Sequence, residues 1–288
     1  MPITRRKLIL GTAALGAAGT TLRAGLAANT VPSAAKAFTV EDTKATLVQI
    51  YTSRGFHQAT ALPIISGHQF NDGLNYDDII PSGIKPAFVV QPAARVEDVT
   101  KKDKLGTLPF FTILASSHAT NASLAEQLKA DIKLLVTDLG LKPQLLRITS
   151  TELIKPYLQL FVDAGITETQ IRLRPLEQAK KAGDGSGWFA PVGHPAQPSY
   201  PTLSVEYQMP DGAELEIAEF GLSPTQSEAG GVGIGIGIER LTMARNDTYL
   251  NWNDYLPAFK QAVETDARDN KKPLPPGYYT ILGQPKPA

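Results

Sequence analysis

Apolar positions change period several times along the chain, and each change marks an element. Over 40–54, Leu47, Ile50 and Tyr51 recur at i, i+3, i+4 behind Glu41 and Asp42. That spacing predicts an amphipathic helix with acids in its opening turn. Over 122–139, Leu124, Leu128, Ile132, Leu135 and Val136 repeat at helical spacing and Gly140 supplies a stop. Shorter helices are predicted over 156–164, 240–244 and 255–266. Apolar or alternating runs predict strands over 60–65, 87–91, 108–115, 145–149 and 170–174, the last with Arg172 and Arg174 turned outward. Strands over 203–209 and 214–220 are joined by Pro210-Asp211-Gly212, a hairpin turn signal. The segment 68–85, rich in Asn, Asp and Gly, reads as a loop or as a segment ordered by ligand. The stretch 180–202, dense in Gly and Pro, reads as a long loop, and the proline-rich tail from Asn270 as an extended closing arm. No internal repeat is present. The order predicts an α+β fold built round a largely antiparallel sheet flanked by helices; hairpins in the second half argue against a doubly wound parallel sheet.

The run GVGIGIGIERLTMA, from Gly231 to Ala244, departs most from ordinary alternation. Gly231, Gly233, Gly235 and Gly237 fall on one face of a strand and leave it bare of side chains. A flat ligand could lie against that backbone, or another backbone could pack there. The pattern turns helix-compatible at Glu239, which places Arg240 at the strand-to-helix junction, where a guanidinium could clamp a phosphate. The spacing is not the G-x-G-x-x-G of a dinucleotide fold.

Composition alters the picture at the N-terminus. Thr4-Arg5-Arg6-Lys7 precedes small and apolar residues to about Ala18, in the order of a twin-arginine export signal, with cleavage after Ala28 or after Ala35-Lys36-Ala37. The apolar stretch falls short of the roughly 20 residues of a membrane span. Residues 1–37 are thus read as signal peptide and linker and 38–288 as one domain, periplasmic or secreted, with no membrane attachment after cleavage. The first 37 residues hold five basic and no acidic side chains, which leaves 23 basic against 28 acidic, a net charge of −5. That balance gives no electrostatic footprint for nucleic acid. With no cysteine, disulfides, thiolate zinc sites and thiol nucleophiles are excluded.

Three segments together resemble the catalytic core of class II aminoacyl-tRNA synthetases, most closely the alanyl enzyme and the α-chain of the two-chain glycyl enzyme. Phe88-Val89-Val90-Gln91-Pro92-Ala93-Ala94-Arg95, continuing through Glu97-Asp98 to Leu108-Pro109-Phe110-Phe111, is similar to the family's second motif. The stretch 188–206 is similar to its tryptophan, Gly/Pro loop and acidic strand, and GIGIGIERLTMA to its third motif. Thr60-Ala61-Leu62-Pro63-Ile64-Ile65 echoes the first motif, which supports dimerisation in the family, so a homodimer is compatible with the resemblance.

The resemblance implies ATP and Mg²⁺ as cofactors. Arg95 would contact the α-phosphate and the substrate carboxylate, Phe111 would stack on adenine, and Arg240 would cover its other face and reach the γ-phosphate. Gly235 and Gly237 would underlie the nucleotide, and Glu214 and Glu216 would hold Mg²⁺. Glu219 falls on the opposite face by strict alternation unless a bulge intervenes. Trp188, His194 and Gly233 would border the substrate. The chain departs from the alanyl pattern at Gly233, where an aspartate holds the substrate ammonium, and at Thr112, where a glutamate stands. A buried ammonium without a partner is costly, so an ordinary α-amino acid is disfavoured. The tRNA-binding and editing regions of the alanyl enzyme are missing, and tRNA is not an expected partner.

Other constellations are weaker. His57, His68, His118 and His194 show no i, i+4 zinc spacing. Ser116-Ser117-His118 lacks a G-x-S-x-G elbow. Lys101, Lys102 and Lys104 read as a solvated loop. Two functions stay open: an ATP-dependent ligase that forms an acyl-adenylate from an amino or other carboxylic acid, and a non-catalytic periplasmic module that binds a small metabolite in the same cleft.

Overall fold

The computed structural model describes residues 37–61, 86–94, 99–117, 122–182, 186–189, 199–222, 233–275 and 277–285. Residues 1–36 of the expected export signal, the segment 68–85 expected to be a loop or ordered by ligand, Arg95, His118 and His194 lie outside the described residues, as does His68.

In chain order the elements begin with α1 (Val40–Ser53), β1 (His57–Gln58), β2 (Ala87–Ala94), β3 (Phe110–Ser117) and α2 (Leu124–Lys133). They continue with β4 (Leu146–Thr151), α3 (Leu158–Asp163), β5 (Ile171–Arg174), α4 (Leu176–Ala182) and β6 (Trp188–Phe189). The last group is β7 (Tyr200–Gln208), β8 (Glu214–Gly221), β9 (Gly233–Gly237), α5 (Ile238–Asn246), α6 (Trp252–Asp269) and α7 (Tyr278–Ile281). Among the described residues nine strands form one sheet in the order β1-β2-β3-β9-β8-β7-β4-β5, with β6 paired to β7. Among the described residues only the outer pairs β1·β2 and β4·β5 are parallel. The fold is therefore α+β round a mainly antiparallel sheet, as the hairpin signals require.

Local chemistry sets the element ends. Thr39 and Asp42 form a reciprocal capping box at α1, and Ser123 and Glu126 do the same at α2, satisfying backbone donors that a helix start leaves open. The α2 pattern runs on through a π-helical turn, Leu134–Asp138, and ends before Gly140. In the β7–β8 hairpin, Met209 and Ala213 close the loop by a 2.8 Å backbone bond, and Gly212 takes the left-handed conformation, φ +84°, that a side chain would strain.

One sheet face carries the core. Leu47 and Tyr51 of α1, Leu128 and Ile132 of α2, Phe161 of α3 and Leu241 of α5 pack with Phe88, Leu114, Ile148, Val205, Phe220 and Ile236 from the strands. Each fully buried side chain of this size is worth about 1.5–3 kcal/mol. A second cluster joins Phe259 and Val263 of α6 to Ala94, Val99 and Tyr278.

Three expectations are corrected. Residues 60 and 61 are not in a strand, and the edge strand is His57–Gln58; residues 62–65 lie outside the described residues. The stretch 180–202 is not loop throughout, because α4 runs to Ala182, Trp188–Phe189 pairs with β7, and β7 starts at Tyr200. Strand pairing there outweighs the local Gly/Pro signal. The tail is not wholly extended either. Its α7 buries Tyr278, whose hydroxyl donates to Glu264 Oε1 at 2.9 Å, so aromatic packing on α6 folds the tail back.

A buried acid sits between α1 and α2. Asp131 is 3% exposed and its Oδ2 is buried without a hydrogen bond. Burial holds its carboxyl well above the usual range, opposed by Arg54, and the neighbouring Tyr51 phenol is pushed up to about 12. A carboxyl raised in the folded state gives its full stability below its unfolded value of about 4 and loses it as pH rises through the folded value. Asp131→Asn is therefore expected to stabilise the protein at pH 8, on the order of 1–3 kcal/mol, and to bring no gain at pH 4. Thermal unfolding at the two pH values checks this.

Candidate active site

The face of the sheet opposite the main core carries the polar side chains. Registers place Phe111 and Ile113 of β3, Gly233, Gly235 and Gly237 of β9, and Glu219 of β8 on it. Thr149 of β4, Ser204 and Glu206 of β7, and Arg172 of β5 follow across the sheet. In β8 two residues oppose one step of β7: Val205 faces Ala218 while Glu206 faces Glu216. The bulge at Ile217 shifts the alternation by one residue, so Glu214, Glu216 and Glu219 all reach this face. Strict alternation had separated Glu219 from the other two.

The glycine strand is bare where the sequence placed it. A Cβ built at Gly235 would meet nothing within 4 Å. At Gly237 it would touch Arg240 Cβ at 3.7 Å, so the arginine stem already covers that end. Arg240 leaves the first turn of α5 and is held there. Its Nε donates to Gly106 O at 3.0 Å and an Nη donates to Glu216 O at 3.3 Å, with Glu216 Oε2 at 3.6 Å. Gly106 presents that carbonyl from a left-handed conformation, φ +75°, and a Cβ there would overlap Leu215 Cδ1. About a third of the Arg240 side chain is exposed, which leaves the guanidinium able to meet a ligand. Its neighbour Glu239 points elsewhere. It is buried and accepts from Thr112 N at 2.7 Å, tying α5 to β3, and burial raises its carboxyl.

The acidic side of the face is already partnered. Arg172 grips Glu214 with two hydrogen bonds, which lower the Glu214 carboxyl, and Arg147 stands 4.0 Å from it. Glu216 faces Arg240 as above. To hold Mg²⁺, Glu214 and Glu216 would have to leave their arginines, and no group of three or more acidic or histidine side chains among the described residues is arranged round a metal position. The donor set for a nucleotide is the better fit: the open patch at Gly235, flanked by Ala115 and Glu219, continues along the same face to Gly237, where Phe111 and Arg240 stand.

Glu206 is a site residue whose importance the sequence did not show. Its Oε1 lies 3.4 Å from the Thr149 hydroxyl, while Oε2 is buried without a hydrogen bond. Burial pushes its carboxyl up to about 7, with Glu214 and Glu216 adding to the shift and Arg172 opposing it. Its Cα partner Glu216 becomes visible only once the bulged register is known. The aromatic border also differs in detail from the expectation. Phe189, not Trp188, stacks on Tyr200, centroids 5.2 Å apart, on the side of Ser204 and Glu206. Trp188, on the other side of β6, lies under the Lys180 ammonium at 5.2 Å. The structure thus brings Phe111, Gly233, Gly235, Gly237, Arg240, Glu214 and Glu216 to one face.

No family model matches the sequence, and no curated protein matches it. Among solved structures the chain is similar to apo histidyl-tRNA synthetase of S. aureus, 13% identical over 80% of this chain and 76% of that one, TM-score 0.39. It is similar to pyrrolysyl-tRNA synthetase of Desulfitobacterium hafniense, 15% identical over 74% and 71%, TM-score 0.41. Asparaginyl-tRNA synthetase of Entamoeba histolytica, solved with asparaginyl-adenylate, is 14% identical over 71% and 62%, TM-score 0.39. With TM-scores of 0.41 and below, no residue role passes from these proteins to this chain.

Proposed function

We propose that the chain is an exported class II synthetase-like protein that binds a nucleotide, ATP, on the glycine face and joins its α-phosphate to a carboxylic acid. The observation that carries this reading is the side-chain-free glycine face, open over Gly235, with Phe111 and the anchored, part-exposed Arg240 at its Gly237 end. A planar base can rest on backbone there, since no side chain intervenes. Arg240 supplies a fixed fork of donors for phosphate oxygens, and its bond to Gly106 O sets that fork before a ligand arrives. Arg95, which follows β2 in the sequence, would complete the charge neutralisation. Forming an acyl-adenylate needs no side-chain nucleophile: the carboxylate oxygen attacks the α-phosphorus in line, and pyrophosphate leaves. The chain's share is to position both reactants and to offset their charge.

The second reading is a periplasmic module that binds a small metabolite without catalysis. It is favoured by the ion pairs that occupy Glu214 and Glu216, the two carboxylates meant for Mg²⁺. Pyrophosphate exchange separates the two. With MgATP and a panel of amino and other carboxylic acids, the ligase incorporates labelled pyrophosphate into ATP for at least one acid. Exchange with none of them leaves the binding module.

A further inference from the structure

A second concave surface lies on the far side of the sheet from the glycine face. Side chains alternate along β3, so Phe111 faces the glycines while Phe110 turns towards α6. Between Phe110 and α6 opens a cavity of about 470 Å³, within the size range of small-molecule sites. None of the residues assigned above to the glycine face lines it. Phe110, Ala258 and Ala262 form an apolar wall, while Asp266 and Asp269 stand at the opposite end.

The two charged side chains that line this cavity, Asp266 and Asp269, are both acidic. Asp266 is 5% exposed, yet it lines the cavity. Its Oδ1 accepts from Asn270 Nδ2 at 2.6 Å, and its Oδ2 takes no hydrogen bond among the described residues. Burial raises its carboxyl, and Asp269 adds to the shift. Lys272 and the Asn270 bond oppose it but do not cancel it. Asp269 is at the exposed rim, 2.9 Å from Arg268 Nε. Both acids belong to the last turn of α6, an 18-residue helix whose C-terminal carbonyls carry partial negative charge. Carboxylates and helix dipole together repel an anion, and among the described residues no third acidic or histidine side chain joins the two acids round a metal position. A neutral ligand would add no charge to offset the raised Asp266 carboxyl, which Lys272 offsets only in part.

We propose that this cavity binds a small organic cation, a primary ammonium on an apolar body. The ammonium pairs with Asp266 Oδ2, and the body lies on Phe110, Ala258 and Ala262. The ring of Phe110 adds an aromatic face to the cation's surroundings. The site stands independently of any nucleotide on the glycine face.

Calorimetric titration of 2-phenylethylammonium, with 2-phenylethanol as its neutral counterpart, tests the assignment on the whole protein. The ammonium is expected to bind at a single site, and the alcohol roughly tenfold more weakly or worse. Asp266→Asn should weaken the ammonium by a similar roughly tenfold factor. Ala262→Trp, on the half-buried wall, should block it, and it serves as the second variant if Asp266→Asn fails to fold by circular dichroism. Arg240→Ala should leave binding unchanged. No saturable binding, equal affinity for the alcohol, or full binding by both cavity variants would overturn the proposal. Loss of binding in Arg240→Ala would do the same, since it would move the cation to the glycine face.

Discussion

Gly235→Val is expected to remove nucleotide binding while leaving the protein as stable as before. The added Cβ meets no atom within 4 Å, so the isopropyl group enters open space and not a packed neighbour. Gly235 also lies in the middle of β9, between β3 and β8, where a β-branched residue suits the strand better than glycine. Urea unfolding should therefore show a change within about 0.5 kcal/mol or a small gain. Binding should behave differently. A side chain standing on the bare patch occupies the place of the base, and a fluorescent ATP analogue followed by anisotropy should lose on the order of 100-fold in affinity, about 2.7 kcal/mol. A variant that binds as well as the parent would place the nucleotide elsewhere.

Arg240→Ala carries the second large effect, and it acts on chemistry more than on fold. The side chain makes backbone bonds to Gly106 and Glu216, so truncation costs about 1–2 kcal/mol of stability. On the proposed function its contribution to activation would be larger, because a preset guanidinium would meet the charge that builds up on phosphate oxygens. Removing one such donor costs roughly 10²–10³ in rate. Pyrophosphate exchange should fall by about that factor in Arg240→Ala. Arg240→Lys should recover only part of it, since lysine restores the charge but not the two-pronged geometry. An exchange rate unchanged by Arg240→Ala would remove this residue from the site.

How far the sequence disclosed these features depended on whether the signal was local. The glycine strand, the junction position of Arg240, the acidic opening turn of α1 and the 209–213 turn are written in spacing along one segment, and these are found where spacing put them. The bulge at Ile217 is a property of two strands together. Nothing within 214–221 shows that Val205 and Glu206 oppose Ala218 and Glu216, so the position of Glu219 could only be given conditionally. The arginine partners of the carboxylates were hidden for the same reason. Arg172 reaches Glu214 only because β5 lies parallel to β4, which lies next to β7. Glu206 looks like one of several acids in a polar strand until its unbonded oxygen is seen. The return of the tail through Tyr278 likewise needs the apolar side of α6, Phe259 and Val263, to pack against.

Titration of ATP into the purified protein by isothermal calorimetry bears most directly on the glycine face as a nucleotide site. The proposed function predicts one saturable site in the parent protein, lost in Gly235→Val and weakened in Arg240→Ala. Heats of dilution alone from the parent protein, at concentrations where its folded state is confirmed, would contradict it.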